Sequence, residues 1–184
     1  MSSLTEIANR NFTDKGTLAY EAHGYTEEYE KYIPSKGVYG LLEIGYYHGD
    51  SARMWKEYNP DLRLAFIDID NSALIYNKEN SNLYIGNSTN PNVIEEIIQD
   101  YELEGGFDFI VDDGSHYHSD ILESFKLLYP ILNKGGYYFI EDLHASQSQR
   151  EKLIIDIHLW MKSKEMIPKS QKLILNNKLW VIEK

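Results

Sequence analysis

A chain of 184 residues, 42% apolar and 26% charged, has the length and balance of one globular domain. Its 18 basic and 29 acidic residues leave a net charge of -11, which repels phosphate backbones and anionic bilayers, so neither nucleic acid nor membrane is expected as a partner. Cysteine is absent, which removes disulfides, thiolate zinc sites and cysteine nucleophiles together.

No apolar run nears the ~20 residues of a membrane span, and MSSLTEIANR carries no signal-peptide core, so a cytoplasmic single domain over 1–184 is expected. Residues 1–36 are polar and read as a helical segment covering the site, with a helix at Tyr25–Ile33. Tyr25, Tyr29 and Ile33 share one of its faces, and Pro34 and Gly37 end it. Val38–Ile44 reads as a buried strand, Asp50–Tyr58 as a helix, Leu64–Ile69 as a second strand and Ser72–Lys78 as a weak helix. Leu83–Ile85 is a short third strand. Asn90–Pro91 starts a helix, with a capping Asn and Pro at its first position, and Val93, Ile94, Ile97 and Ile98 face inward. Phe107–Val111 is a fourth strand, Asp120–Tyr129 a helix stopped by Pro130, Tyr137–Ile140 a fifth strand and Arg150–Lys162 an amphipathic helix. Leu173–Leu175 and Leu179–Ile182 form a hairpin, because Asn176 and Asn177 tolerate the positive φ of a tight turn. The fold class is therefore α/β: a Rossmann-like, doubly wound, mostly parallel seven-stranded sheet with a C-terminal antiparallel hairpin.

In such a sheet the ligand site lies beyond the carboxyl ends of the strands. The polar clusters fall there: Glu43–Gly45, Asp68, Asn87, Asp112–Asp113 and Glu141–Asp142. Gly45 lets the backbone approach a ligand closely, the helix start behind it offers unpaired N–H groups, and Tyr46 and Tyr47 are placed to wall the ligand. Asp68, 23 residues on, stands about where an acid accepts hydrogen bonds from an adenosine ribose; a helix cap is the other reading. Two strands that end in paired acids crowd like charges, a costly arrangement unless they are protonated or bridged by a cation. Oxygen ligation suits Mg²⁺ before Mn²⁺ or Ca²⁺; caps on the following helices are the other reading of these acids. His116, three residues past Asp113 in a glycine-containing loop, has the chemistry of a general base; a surface histidine with no role is the other reading. His118, His144 and His158 receive no role.

The runs LLEIG, SARMW, FIDID, FDFIVDDGSH and GGYYFIEDLH resemble the class I S-adenosylmethionine-dependent methyltransferases. More narrowly, they resemble the Mg²⁺-dependent sugar O-methyltransferases of macrolide (mycinamicin-type) biosynthesis. The similarity covers roughly residues 12–145, and the upstream TDKGT and HGYTEEY segments share it. The resemblance implies Asp113, Glu141 and Asp142 as metal ligands, and His116, with Asp113, as the catalytic pair. It implies Glu43, Gly45, Ser51, Asp68, Asn87 and Asp112 around S-adenosylmethionine, with Glu43 and Gly45 near its methionine part, Asp68 on its ribose and Asn87 near its adenine. Tyr46–Tyr47–His48 stands where relatives have more glycine, and Asn87 where an acid is more usual.

The expected reaction is transfer of a methyl group to a hydroxyl of a sugar or a glycosylated natural product, with Mg²⁺ orienting the acceptor and His116 removing the proton. The partner is then a small hydroxyl compound, and a homo-oligomer is compatible with the reading. A nicotinamide-dependent oxidoreductase shares the Gly45–Asp68 relation but usually carries three glycines. A non-catalytic cofactor-binding protein fits if the carboxylates bind no metal, and a metallohydrolase is a further alternative.

Overall fold

The computed structural model describes residues 2–77, 82–102, 105–143 and 146–184. Its helices are α1 (Leu4–Asn11), α2 (Thr26–Tyr29), α3 (Asp50–Tyr58), α4 (Ala73–Tyr76), α5 (Pro91–Glu102), α6 (His118–Leu128) and α7 (Gln147–Ser163). Its strands are β1 (Gly40–Ile44), β2 (Arg63–Asp68), β3 (Asn82–Ile85), β4 (Phe107–Asp112), β5 (Leu132–Ile140), β6 (Ser170–Ile174) and β7 (Leu179–Glu183). They form one sheet in the order β3-β2-β1-β4-β5-β7-β6. The first five run parallel, and β7 is antiparallel to both β5 and β6.

Alternate residues of the central strands feed two cores, as the two-residue period of a strand requires. Leu42, Ile44, Ile67, Ile110 and Ile140 pack under α5, α6 and α7, together with Ile97, Phe125 and Ile157. Leu41, Phe66, Val111 and Phe139 pack on the other face against Ile7, Tyr29, Met54 and Trp55 of α1, α2 and α3. Each such side chain contributes about 1.5–3 kcal/mol on burial, so both layers are held by ordinary hydrophobic packing. Glu43 lies on the second face and is fully buried among those apolar groups.

The expected elements are present, with shifted bounds. The first strand starts at Gly40, leaving Val38 exposed. The helix at Tyr25–Ile33 contracts to α2 and continues as turns, with Lys31 N–H donating to the Glu28 carbonyl and Ile33 N–H to the Tyr29 carbonyl. Tyr25, Tyr29 and Ile33 are nonetheless all buried, as their spacing requires. The weak helix at Ser72–Lys78 is the single turn α4, and Lys78 lies outside the described residues. Asn90 caps α5, its side chain accepting from the Asn92 N–H at 3.0 Å. The hairpin turn is wider than two residues: Leu175, Asn176 and Asn177 all have positive φ, and Lys178 N–H donates to the Ile174 carbonyl. Among the described residues no helix is long and apolar enough to cross a membrane.

The strand order reverses between β1 and β4, so the loops leaving these two strands diverge and open a crevice. Sheet-like hydrogen bonding runs one residue past each strand: Gly45 N–H to Ile67, Asp113 N–H to Ile44 and Glu141 N–H to Asp112, at 2.8–3.1 Å. That extension sets Gly45, Asp113 and Glu141 side by side at one sheet edge.

Candidate active site

A cavity of about 700 Å³ opens there, within the size range of small-molecule sites. Gly45, Tyr46, Tyr47, Ser51, Asp68, Asn87, Asp112, Asp113 and His116 line it, and residues 12–15 and 19–21 of the N-terminal segment supply the opposite wall. Asp142 lines a smaller adjoining cavity, and His116 belongs to both. Glu43 and Glu141 lie behind the wall, buried.

The loop after β1 is built for close approach. Gly45 has φ +95°, and a Cβ there would sit 2.3 Å from the Asp113 carbonyl oxygen. Asp68 holds the same loop: one carboxylate oxygen accepts the N–H groups of Tyr46 and Tyr47 at 2.9 and 2.8 Å, and the other accepts Asp70 N–H at 2.8 Å. Asn87 accepts Thr89 N–H at 2.9 Å. Strained backbone gathers around the crevice. Phe12, Glu21, Tyr47, His116 and Asp142 all have positive φ without being glycine, the kind of cost that persists where a site demands it.

The acidic cluster contains a cation that sequence reasoning missed. Lys15, only 1% exposed, places Nζ 3.0 Å from Glu141, 3.3 Å from Glu43 and in a very short hydrogen bond with Asp113. Burial works against its charge, yet Asp113, then Glu141 and Glu43, outweigh it and hold the ammonium well above the usual lysine range. Glu43 also accepts from Trp55 Nε1 at 2.7 Å, and Tyr29 donates to the remaining oxygen of Glu141. Burial, followed by the charge of Asp113, pushes the Glu141 carboxyl well up despite Lys15.

Asp142 is in a different state. Burial opposes its ionisation, but the Tyr25 hydroxyl, donating at 2.6 Å, and the neighbouring His23 and His116 hold it below the usual carboxylate range. His116 Nε2 is 3.7 Å from Asp142 Oδ2 and 4.0 Å from Asp113 Oδ1. Asp113, His116 and Asp142 each offer one ligand atom, and these atoms lie within 4.8 Å of one another. The structure therefore brings together two of the three expected metal ligands and the expected base. The third, Glu141, is turned to Lys15 and Tyr29.

His118 pairs with Asp156 at 2.9 Å and His158 bonds the Ile154 carbonyl, so both have structural partners; His144 lies outside the described residues.

Asp112 is buried, with the Tyr138 hydroxyl 3.3 Å away, and burial pushes its carboxyl up to about 7. Between the unfolded value near 4 and about 7 the folded state binds more protons, so this group subtracts stability as pH rises through that window. Asp112→Asn should therefore raise the metal-free unfolding free energy by on the order of 1–3 kcal/mol at pH 8, and by much less near pH 5. Urea unfolding at the two pH values checks it.

The open α/β sheet with its crevice at the strand reversal defines a Rossmann-like nucleotide- or cofactor-binding fold. Residues 42–143, more than half of the chain, match a family model described as "Methyltransferase domain", and the chain belongs to that family. It is 31% identical over 148 residues to the demethylmacrocin O-methyltransferase of Streptomyces fradiae, a match that covers 76% of this chain and 36% of the relative. It is 31% identical over 150 residues to the mycinamicin VI 2''-O-methyltransferase of Micromonospora griseorubida, with the same coverage. A solved MycE methyltransferase from the mycinamycin pathway, in complex with Mg and SAH (S-adenosylhomocysteine), superposes on all of this chain and 54% of its own at TM-score 0.77 and 23% identity. The chain thus spans little more than a third of these curated relatives and about half of the solved one. Family membership disfavours the nicotinamide alternative.

Proposed function

We propose that this chain carries an S-adenosylmethionine-dependent O-methyltransferase site, acting on a hydroxyl of a sugar or a glycosylated small molecule with a divalent cation, Mg²⁺ first. The observation that carries the reading is the convergence of Asp113, His116 and Asp142 beside the cavity that Gly45 and Asp68 shape. The relatives, whose names specify O-methyl transfer and in one case a rhamnosyl acceptor, support the acceptor class.

The residues fit a hard ion: Asp113 and Asp142 would hold it, and Glu141 would join them where Lys15 yields its oxygen. When bound, the ion supplies Lewis acidity and a template for neighbouring acceptor oxygens. Gly45 and the start of α3 leave room and free N–H groups for the donor's methionine part. Asp68 has three of roughly four acceptor positions engaged by its own loop, which leaves one for a ribose hydroxyl. His116, at the junction of both cavities, would take the acceptor's proton as the acceptor oxygen bonds the donor methyl and the sulfur–methyl bond breaks, leaving S-adenosylhomocysteine. Because the methyl is already activated, alignment supplies much of the rate.

Methyl-labelled S-adenosylmethionine, offered with a panel of small glycosides, tests this. Label should appear on a glycoside hydroxyl with Mg²⁺, stop on chelation and resume when Mg²⁺ is restored. Undiminished transfer in chelator contradicts the metal role, and no labelled glycoside with Mg²⁺ contradicts the acceptor class.

A further inference from the structure

We infer that Lys15 is the resident cation of the metal-free site, and that a divalent ion must displace its ammonium from Asp113 and Glu141 to take its full set of ligands. This rests on the metal reading above. Three carboxylates, from β1, from the loop after β4 and from the end of β5, converge on one ammonium that is 1% exposed. Buried acids this close repel one another unless a cation lies between them. Lys15 meets that need without metal, and it does so on Asp113 Oδ2 and on Glu141 Oε2, the oxygen that would complete the ligand set. The other oxygen of Asp113, Oδ1, lies 4.0 Å from His116 Nε2, and Asp113, His116 and Asp142 are the candidate ligands that lie together. A second positive charge brought beside the ammonium is opposed by it, so Lys15 lowers metal affinity while compensating the three buried acids.

Lys15 also belongs to the segment that walls the cavity, with Thr13 and Asp14 beside it. Its N–H lies near the Thr13 hydroxyl, and its carbonyl accepts Thr26 N–H at 3.2 Å.

The test is Mn²⁺ binding to the full chain, read by the paramagnetic resonance of free Mn²⁺ with neither donor nor acceptor present. Lys15→Met should bind Mn²⁺ on the order of tenfold or more tightly than wild type, and its thermal unfolding should depend more steeply on Mn²⁺. Equal or weaker binding overturns the inference. Where Lys15→Met does not fold, the wild-type chain decides: reductive methylation of Lys15, read by mass spectrometry, should rise at least fivefold when saturating Mn²⁺ frees the ammonium. Unchanged labelling overturns it. These readouts need no turnover, so failure of methyl transfer leaves them standing, while wild-type activity that survives chelation strikes the metal reading itself.

Discussion

Asp113→Asn should reduce methyl transfer on the order of a thousandfold, with partial recovery in excess Mg²⁺ and little loss of S-adenosylhomocysteine binding. The size follows from the several kcal/mol that a correctly held ion contributes to a developing charge. Asp113 is the residue common to both cation positions: one oxygen pairs with Lys15 and the other faces His116. The fold should survive the change. Glu43 and Glu141 still compensate the ammonium, and one charge fewer relieves the crowding. Steady-state rates at increasing Mg²⁺, beside a urea unfolding curve, separate the two effects. A variant that loses activity only because it unfolds would show both at once.

His116→Ala should fail differently. Its side chain is 39% exposed and packs into no core, so stability should change by no more than about 0.5 kcal/mol. Turnover should fall on the order of a hundredfold or more, and the loss of rate at acid pH that an imidazole base imposes should be absent from the variant. Because the ring also stands among the available ligand atoms, Mn²⁺ affinity decides its role. A change under about threefold assigns the ring to the proton, and a tenfold loss assigns it to the metal.

The strand-end acids were legible because a buried parallel strand is a near-continuous apolar run, and Phe109–Val111 and Tyr137–Ile140 stop abruptly in carboxylates. What holds those acids was not legible. Lys15 lies 98 residues from Asp113 and 126 from Glu141, and Tyr29 lies 112 from Glu141. Their meeting depends on how the N-terminal segment crosses the sheet edge, and no local period encodes that. The TDKGT segment was recognisable as part of the site, and its single basic residue was the available clue. Asp68 shows the same limit on a smaller scale. Its position suggested a ribose, but its clamp on the Tyr46 and Tyr47 amides follows from the loop's turn, which only coordinates reveal.

Calorimetric titration of the full chain with S-adenosylhomocysteine and, in parallel, with NAD goes to the root of the functional reading. S-adenosylhomocysteine should bind one to one and NAD should give no heat. Asp68→Ala should lose most of the affinity, since it removes both a ribose acceptor and the brace of the donor loop. Binding of NAD with no response to S-adenosylhomocysteine would contradict the methyltransferase reading outright.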